Sequence, residues 1–85
     1  MRIVWEREAV KDLARMPKKA TEAIRAALQA IAVGPFAPHP QVKRLVGGKD
    51  WFRLRHGNWR ALYRLDRPSD TMIIERVKSR GDAYR

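Results

Sequence analysis

The period of the apolar positions changes along this chain, and each change marks an element. Residues 2–5 (Arg-Ile-Val-Trp) are rich in β-branched and aromatic residues, which predicts a short strand. From Glu6 onward, Ala9, Val10, Leu13 and Met16 recur at helical spacing, with Glu6 and Glu8 at the end where negative charge is favoured. Pro17 breaks that helix and suits the first turn of another. In the second helix Ala20, Ala23, Ile24, Ala27, Leu28 and Ile31 make one apolar stripe. Glu22 and Arg25 sit one helical turn apart, where they can pair. Gly34-Pro35 ends it, so the pattern describes an αα-hairpin.

Residues 34–41 are an extended, proline-rich connector, and Val42–Val46 suits a short edge segment before the Gly47-Gly48 turn. Alternation then replaces the helical period. Trp51–Arg55 and Trp59–Leu65 read as a hairpin around a His56-Gly57-Asn58 loop, and Thr71–Val77 follows the turn at Arg67-Pro68-Ser69-Asp70 as a third strand. The expectation is a single α+β domain over residues 1–85, in the order βααβββ. Its helical hairpin packs on one face of a small antiparallel sheet.

Parity along the strands divides the hairpin into two faces. Phe52, Leu54, Trp59, Ala61, Tyr63 and Leu65 point toward the helices; Arg53, Arg55, Arg60 and Arg64 share the opposite face with Leu62. For the third strand, Met72, Ile74 and Arg76 oppose Ile73, Glu75 and Val77, and the pattern does not say which set is buried. Like charges gathered this closely repel unless an anion joins them.

Charge sharpens that picture. The 85 residues carry 19 basic and 9 acidic side chains, a formal net charge of +10. The first 42 residues hold seven basic and four acidic side chains; the remainder hold twelve and five, mostly arginine among the bases. Such a field suits a polyanion, and the guanidinium fork suits phosphate. The absence of cysteine excludes a disulfide framework and thiolate metal ligation, and a histidine without a partner ligand, such as His39 in Pro-His-Pro, is no metal site. No apolar run approaches the ~18 residues of a membrane span. Charges at positions 2, 6, 7 and 8 fit no signal peptide. The expectation is a soluble, cytoplasmic protein with no membrane contact and no cofactor.

The stretches WFRLRHGNWRALY and RVKSRGDAYR, in this order and spacing after a strand and helical hairpin, resemble the RelE/ParE toxin superfamily of type II toxin–antitoxin systems. The resemblance covers nearly the whole chain. It implies a RelE-like fold, a cognate antitoxin partner in a hetero-oligomer, and cleavage of mRNA on the ribosome. The chemistry it implies needs no metal: the 2′-hydroxyl attacks the adjacent phosphate and the 5′-oxygen leaves. A base, an acid and cations for the phosphorane are then required.

By that resemblance Arg60 and Arg80 stabilise the phosphate, Arg53 stands on the strand that bears a lysine in the family and joins the catalytic set, and Tyr84 stacks on a base or moves a proton. Arg55, Arg64, Trp51, Lys78, Lys49 and Lys43 are the expected RNA contacts, with Trp51 open to two readings, a stacking platform or a filler at the core edge. The chain also departs from the pattern. Trp51 stands where a second catalytic lysine belongs, and Lys78 and Ser79 replace the glycine and the histidine or lysine of the terminal motif. The usual base is therefore absent, which leaves Lys78, His56, Tyr84 and Glu75. A gyrase-inhibiting ParE-like toxin, or a toxin-derived binding module without catalysis, is the alternative.

Overall fold

Pro17 and Gly34-Pro35 punctuate the N-terminal half as the sequence predicts. The computed structural model of the protein describes residues 1–47 and 50–79. Strand β1 (Arg2–Trp5) leads into α1 (Arg7–Ala14), and α2 (Lys18–Val33) begins after the Arg15–Pro17 turn. The proline connector follows, and then β2 (Val42–Arg44), β3 (Trp51–His56), β4 (Trp59–Asp66) and β5 (Thr71–Ser79). The five strands form one sheet in the order β1-β5-β4-β3-β2.

One core lies between the helices and one face of the sheet. Ala9, Leu13 and Met16 from the first helical segment join Ile24, Leu28, Ile31 and Ala32 from α2. They meet Leu54, Ala61, Tyr63, Leu65, Met72, Ile74 and Val77 from the strands. Phe52 stacks on Tyr63 with ring centroids 5.5 Å apart, and Trp59 packs at the margin of the same cluster. The inward set expected for the hairpin is therefore the observed one. On the first helix the expectation fails at one position: Val10 is 52% exposed, and Asp12, 5% exposed, takes the buried place. Arg25 lies over the Trp5 ring at 5.3 Å, and no Glu22–Arg25 ion pair forms among the described residues.

The sheet is not wholly antiparallel. β3, β4 and β5 meander, and β5 is left with an open outer edge that β1 fills in parallel, Arg2 opposite Thr71 through Trp5 opposite Ile74. The Glu6 amide extends this pairing to the Ile74 carbonyl at 3.0 Å. β2 is the edge strand on the far side, paired to β3. The hairpin loop is also tighter than expected, because His56 pairs with Trp59 and only Gly57-Asn58 turn. Gly57 has φ 59° while Asn58 keeps a negative φ, the pattern of a type II′ turn.

The ambiguous third strand has a physical cause. Tyr63 pairs with Ile74 and Leu62 with Arg76, so Glu75 is an extra residue, a β-bulge. The bulge resets parity: Met72 and Ile74 face the core before it, and Val77 faces the core after it.

A second unforeseen device secures the loops. Asp50, buried and at φ 58°, accepts hydrogen bonds from Arg67 (Nε 2.8 Å, Nη2 3.1 Å) and from Arg44 at 3.3 Å. Arg67 in turn covers the Phe36 ring at 4.1 Å, which ties the connector to the β4–β5 turn. Within the connector, His39 Nε2 donates to the Gly34 carbonyl at 2.8 Å. No helix among the described residues is long and apolar enough to cross a membrane.

Candidate functional site

The outward residues of the sheet fall into cross-strand rungs, because directly opposed residues share a face. One rung runs Lys43–Arg53–Leu62–Arg76 across β2, β3, β4 and β5. The next runs Arg55–Arg60–Lys78 across β3, β4 and β5. A third, on the other side of the first, runs Trp51–Arg64–Ile73. The expected convergence of Arg53, Arg55, Arg60 and Arg64 on the face away from the helices is thus built into the register. Residues two apart along a strand are roughly 7 Å apart and opposed ones about 5 Å, a spacing at which cations repel.

Their partners differ. Arg64 Nε donates to Glu75 at 2.8 Å, and the bulge is what brings that carboxylate alongside. Arg64 also lies over the Trp51 ring at 5.9 Å. Arg55 is exposed, Arg60 is half-buried, and neither makes an ion pair among the described residues. Arg60 Nε is covered and finds no acceptor among those residues. Arg53 is half-buried between Lys43 and Leu62 in its rung.

On β5 the cations are anchored from behind. Asp12 Oδ2 accepts from Arg76 Nε at 2.9 Å and from the Val77 amide at 2.9 Å. Asp12 Oδ1 accepts from Arg76 Nη2 at 3.2 Å and lies 3.4 Å from Lys78 Nζ. Burial alone would push this carboxyl up. The Arg76 and Val77 hydrogen bonds and the charges of Arg76 and Lys78 outweigh it and hold Asp12 below the usual carboxylate range. The same hydrogen bond pushes the Arg76 guanidinium up.

The base candidates fare unevenly. Glu75 is engaged by Arg64 and Lys78 by Asp12. His56 shares the parity of Phe52 and Leu54, so alternation turns it away from Arg55 and Arg60. Trp51 lies on the basic side, half-buried, and lines a hollow of about 280 Å³ with Arg64, Arg67 and Asp66. A larger hollow of about 550 Å³ opens at the hairpin tip beside Arg55, His56 and Gln41. Lys49, Arg80 and Tyr84 lie outside the described residues. No group of acidic and histidine side chains that could hold a metal occurs among the described residues.

Asp12 had a legible signal. Residues 9, 12, 13 and 16 follow the i, i+3, i+4, i+7 pattern, so the buried stripe passes through Asp12 and misses Val10. Asp50 had none, since its role depends on segments distant in sequence.

A two-helix layer on a five-stranded sheet with an arginine-lined outer face defines a RelE-like α+β domain. The family model described as the ParE toxin of type II toxin–antitoxin systems matches residues 3–84, and the chain belongs to that family, within the RelE/ParE superfamily. Toxin RelG of Mycobacterium tuberculosis (strain ATCC 25618 / H37Rv) is 34% identical over 82 residues, covering 91% of this chain and 87% of RelG. The toxin–antitoxin complex RelBE2 of the same species contains a chain that superposes with a TM-score of 0.76 at 27% identity, covering 93% of this chain and 96% of that one. A chain of the archaeal RelE–RelB complex from Pyrococcus horikoshii OT3 gives 0.80 at 25%, over 96% and 97%. The isolated E. coli RelE toxin shares the fold, with a TM-score of 0.84 at 13% identity over 98% of this chain and 87% of that one. The chain is a toxin of a type II toxin–antitoxin system.

Proposed function

We propose that this toxin is an endoribonuclease that cuts ribosome-bound mRNA and that the outer face of its sheet holds the scissile phosphate. The observation that carries the reading is the rung Arg55–Arg60–Lys78, in which two guanidiniums have no ion-pair partner among the described residues. In the proposed reaction the 2′-oxygen bonds to phosphorus, its proton passes to a base, and the P–O5′ bond breaks as that oxygen takes a proton. A cyclic phosphate remains, and no metal is required. The phosphorane carries more negative charge than the ground state. Arg60 at the centre of the rung, with Arg53 and Arg55 beside it, supplies fixed donors where that charge grows. Arg80 and Tyr84 are proposed to complete the set, Tyr84 with the proton-transfer role, since Glu75 and Lys78 already have partners and His56 is on the other parity.

The proposed partners are mRNA on the ribosome and a cognate antitoxin, which would complement the +10 charge with acidic residues. The relatives from Mycobacterium tuberculosis and Pyrococcus horikoshii were crystallised as toxin–antitoxin complexes, which supports such an assembly. A second reading, inhibition of DNA gyrase, is favoured by the ParE family match and by the engagement of both carboxylates beside the face. Induction in a bacterium, with primer-extension mapping of mRNA 5′ ends, separates the two. The nuclease reading expects cuts inside translated codons that disappear with Arg60→Ala. Growth arrest with intact mRNA and an induced DNA-damage response supports gyrase instead.

A further inference from the structure

We infer that Asp12, on the first helix, is the positioning residue of the cationic face: it fixes the third strand of cations, Arg76 and Lys78, beside Arg60. The inference rests on the outer face being a polyanion site, as proposed above. β1 covers the outer edge of β5 only as far as Ile74, so beyond that point the edge has no strand partner among the described residues. Asp12 takes the place of one. Its Oδ2 accepts the Val77 amide at 2.9 Å, as a strand carbonyl would, and the two oxygens together receive Arg76 and Lys78.

Asp12 therefore acts on the backbone and on the side chains at once. The bulge at Glu75 rotates the end of β5 so that Arg76 and Lys78 face outward, opposite Leu62 and Arg60. A bulge loosens the ladder where it occurs. A buried, fully hydrogen-bonded carboxylate two residues beyond restores the order that the bulge removes. The side chain is only 3% exposed, whereas Arg76 and Lys78 are 37% and 29% exposed, so the anion is hidden and the cations reach solvent.

The opposite role for Asp12 is to quench these cations, and the two roles predict changes of opposite sign. The test is the salt dependence of binding to a short 2′-O-methyl oligoribonucleotide, which has no 2′-hydroxyl and cannot be cut. Asp12→Asn raises the net positive charge by one, so a quenching carboxylate predicts tighter binding and a slope that is unchanged or steeper. Positioning predicts weaker binding and a log–log slope smaller by about 0.7 for each phosphate that is no longer neutralised. In an Arg76→Gln/Lys78→Gln background, Asp12→Asn is expected to change the slope no further. A variant slope equal to or steeper than wild type overturns the inference. If circular dichroism shows Asp12→Asn unfolded, Arg76→Gln and Lys78→Gln carry the test. Each is expected to lower the slope by about 0.7, and two unchanged slopes overturn the inference. A wild type that binds this oligonucleotide yet never cuts mRNA refutes the nuclease reading and leaves the positioning test valid. A wild type that cuts mRNA while the Asp12 variant binds as well as before refutes only the positioning.

Discussion

Asp12 shows how one side chain can be both a structural and a site residue. It is buried, it accepts from a guanidinium and a backbone amide, and it lies against an ammonium. Hydrogen bonds to a charged group contribute about 1.5–3 kcal/mol each, and a neighbour left without its partner adds a cost. Asp12→Ala is expected to lower stability by about 2 kcal/mol, discounted because Arg76 and Lys78 can turn to water. The pH dependence has a definite sign. The folded-state pKa is lowered, so the stabilisation is complete above the unfolded value, about 3.9, and is lost as pH falls through the folded value. Urea denaturation of wild type and Asp12→Ala should show a constant gap above about pH 5 that closes progressively below about pH 4. A gap that stays constant down to about pH 2 contradicts this role. Period alone places residue 12 on the buried stripe, but nothing local to Asp12 reveals the Val77 amide, Arg76 and Lys78 at the edge of β5 that make its burial tolerable. Arg60 is the opposite case, because alternation around a single turn was enough to place it on the arginine face.

The β3–β4 hairpin is the element on which the face depends. A one-residue slip would turn its arginines inward and its core residues outward. Gly57 holds the register by adopting φ 59° in the two-residue turn, and a Cβ there would meet no atom within 4 Å. The cost of Gly57→Ala is therefore conformational, about 1 kcal/mol. It should appear as a lower urea midpoint with an unchanged m-value; a midpoint equal to wild type contradicts the assignment. The helices and this hairpin were legible because their signals are short-range: proline and glycine stops, a helical stripe, strict alternation. The parallel pairing of β1 with β5 was not, because it joins residues about seventy positions apart. The Glu75 bulge was hidden for a related reason. An inserted residue makes both parities of Thr71–Val77 look half right.

Across the whole molecule, charge and core are segregated by one sheet. One surface packs on two helices, and the other presents rungs of cations from β2, β3, β4 and β5. The family was legible as a resemblance of two stretches, WFRLRHGNWRALY and RVKSRGDAYR, to known toxins, and the fold from pattern. The state of each arginine did not, because ion pairs such as Arg64–Glu75 depend on the bulge rather than on spacing. The central claim is that the outer face, and Arg60 in particular, performs the chemistry. Single-turnover cleavage of mRNA on programmed ribosomes tests it most directly when Arg60→Ala is compared with Lys19→Ala, which removes the same charge from an exposed position on α2. The account predicts a loss of at least about a hundredfold for Arg60→Ala, as for the removal of an oxyanion donor, and near wild-type cutting for Lys19→Ala. Equal losses in the two variants, or no cutting by the wild type, would contradict it.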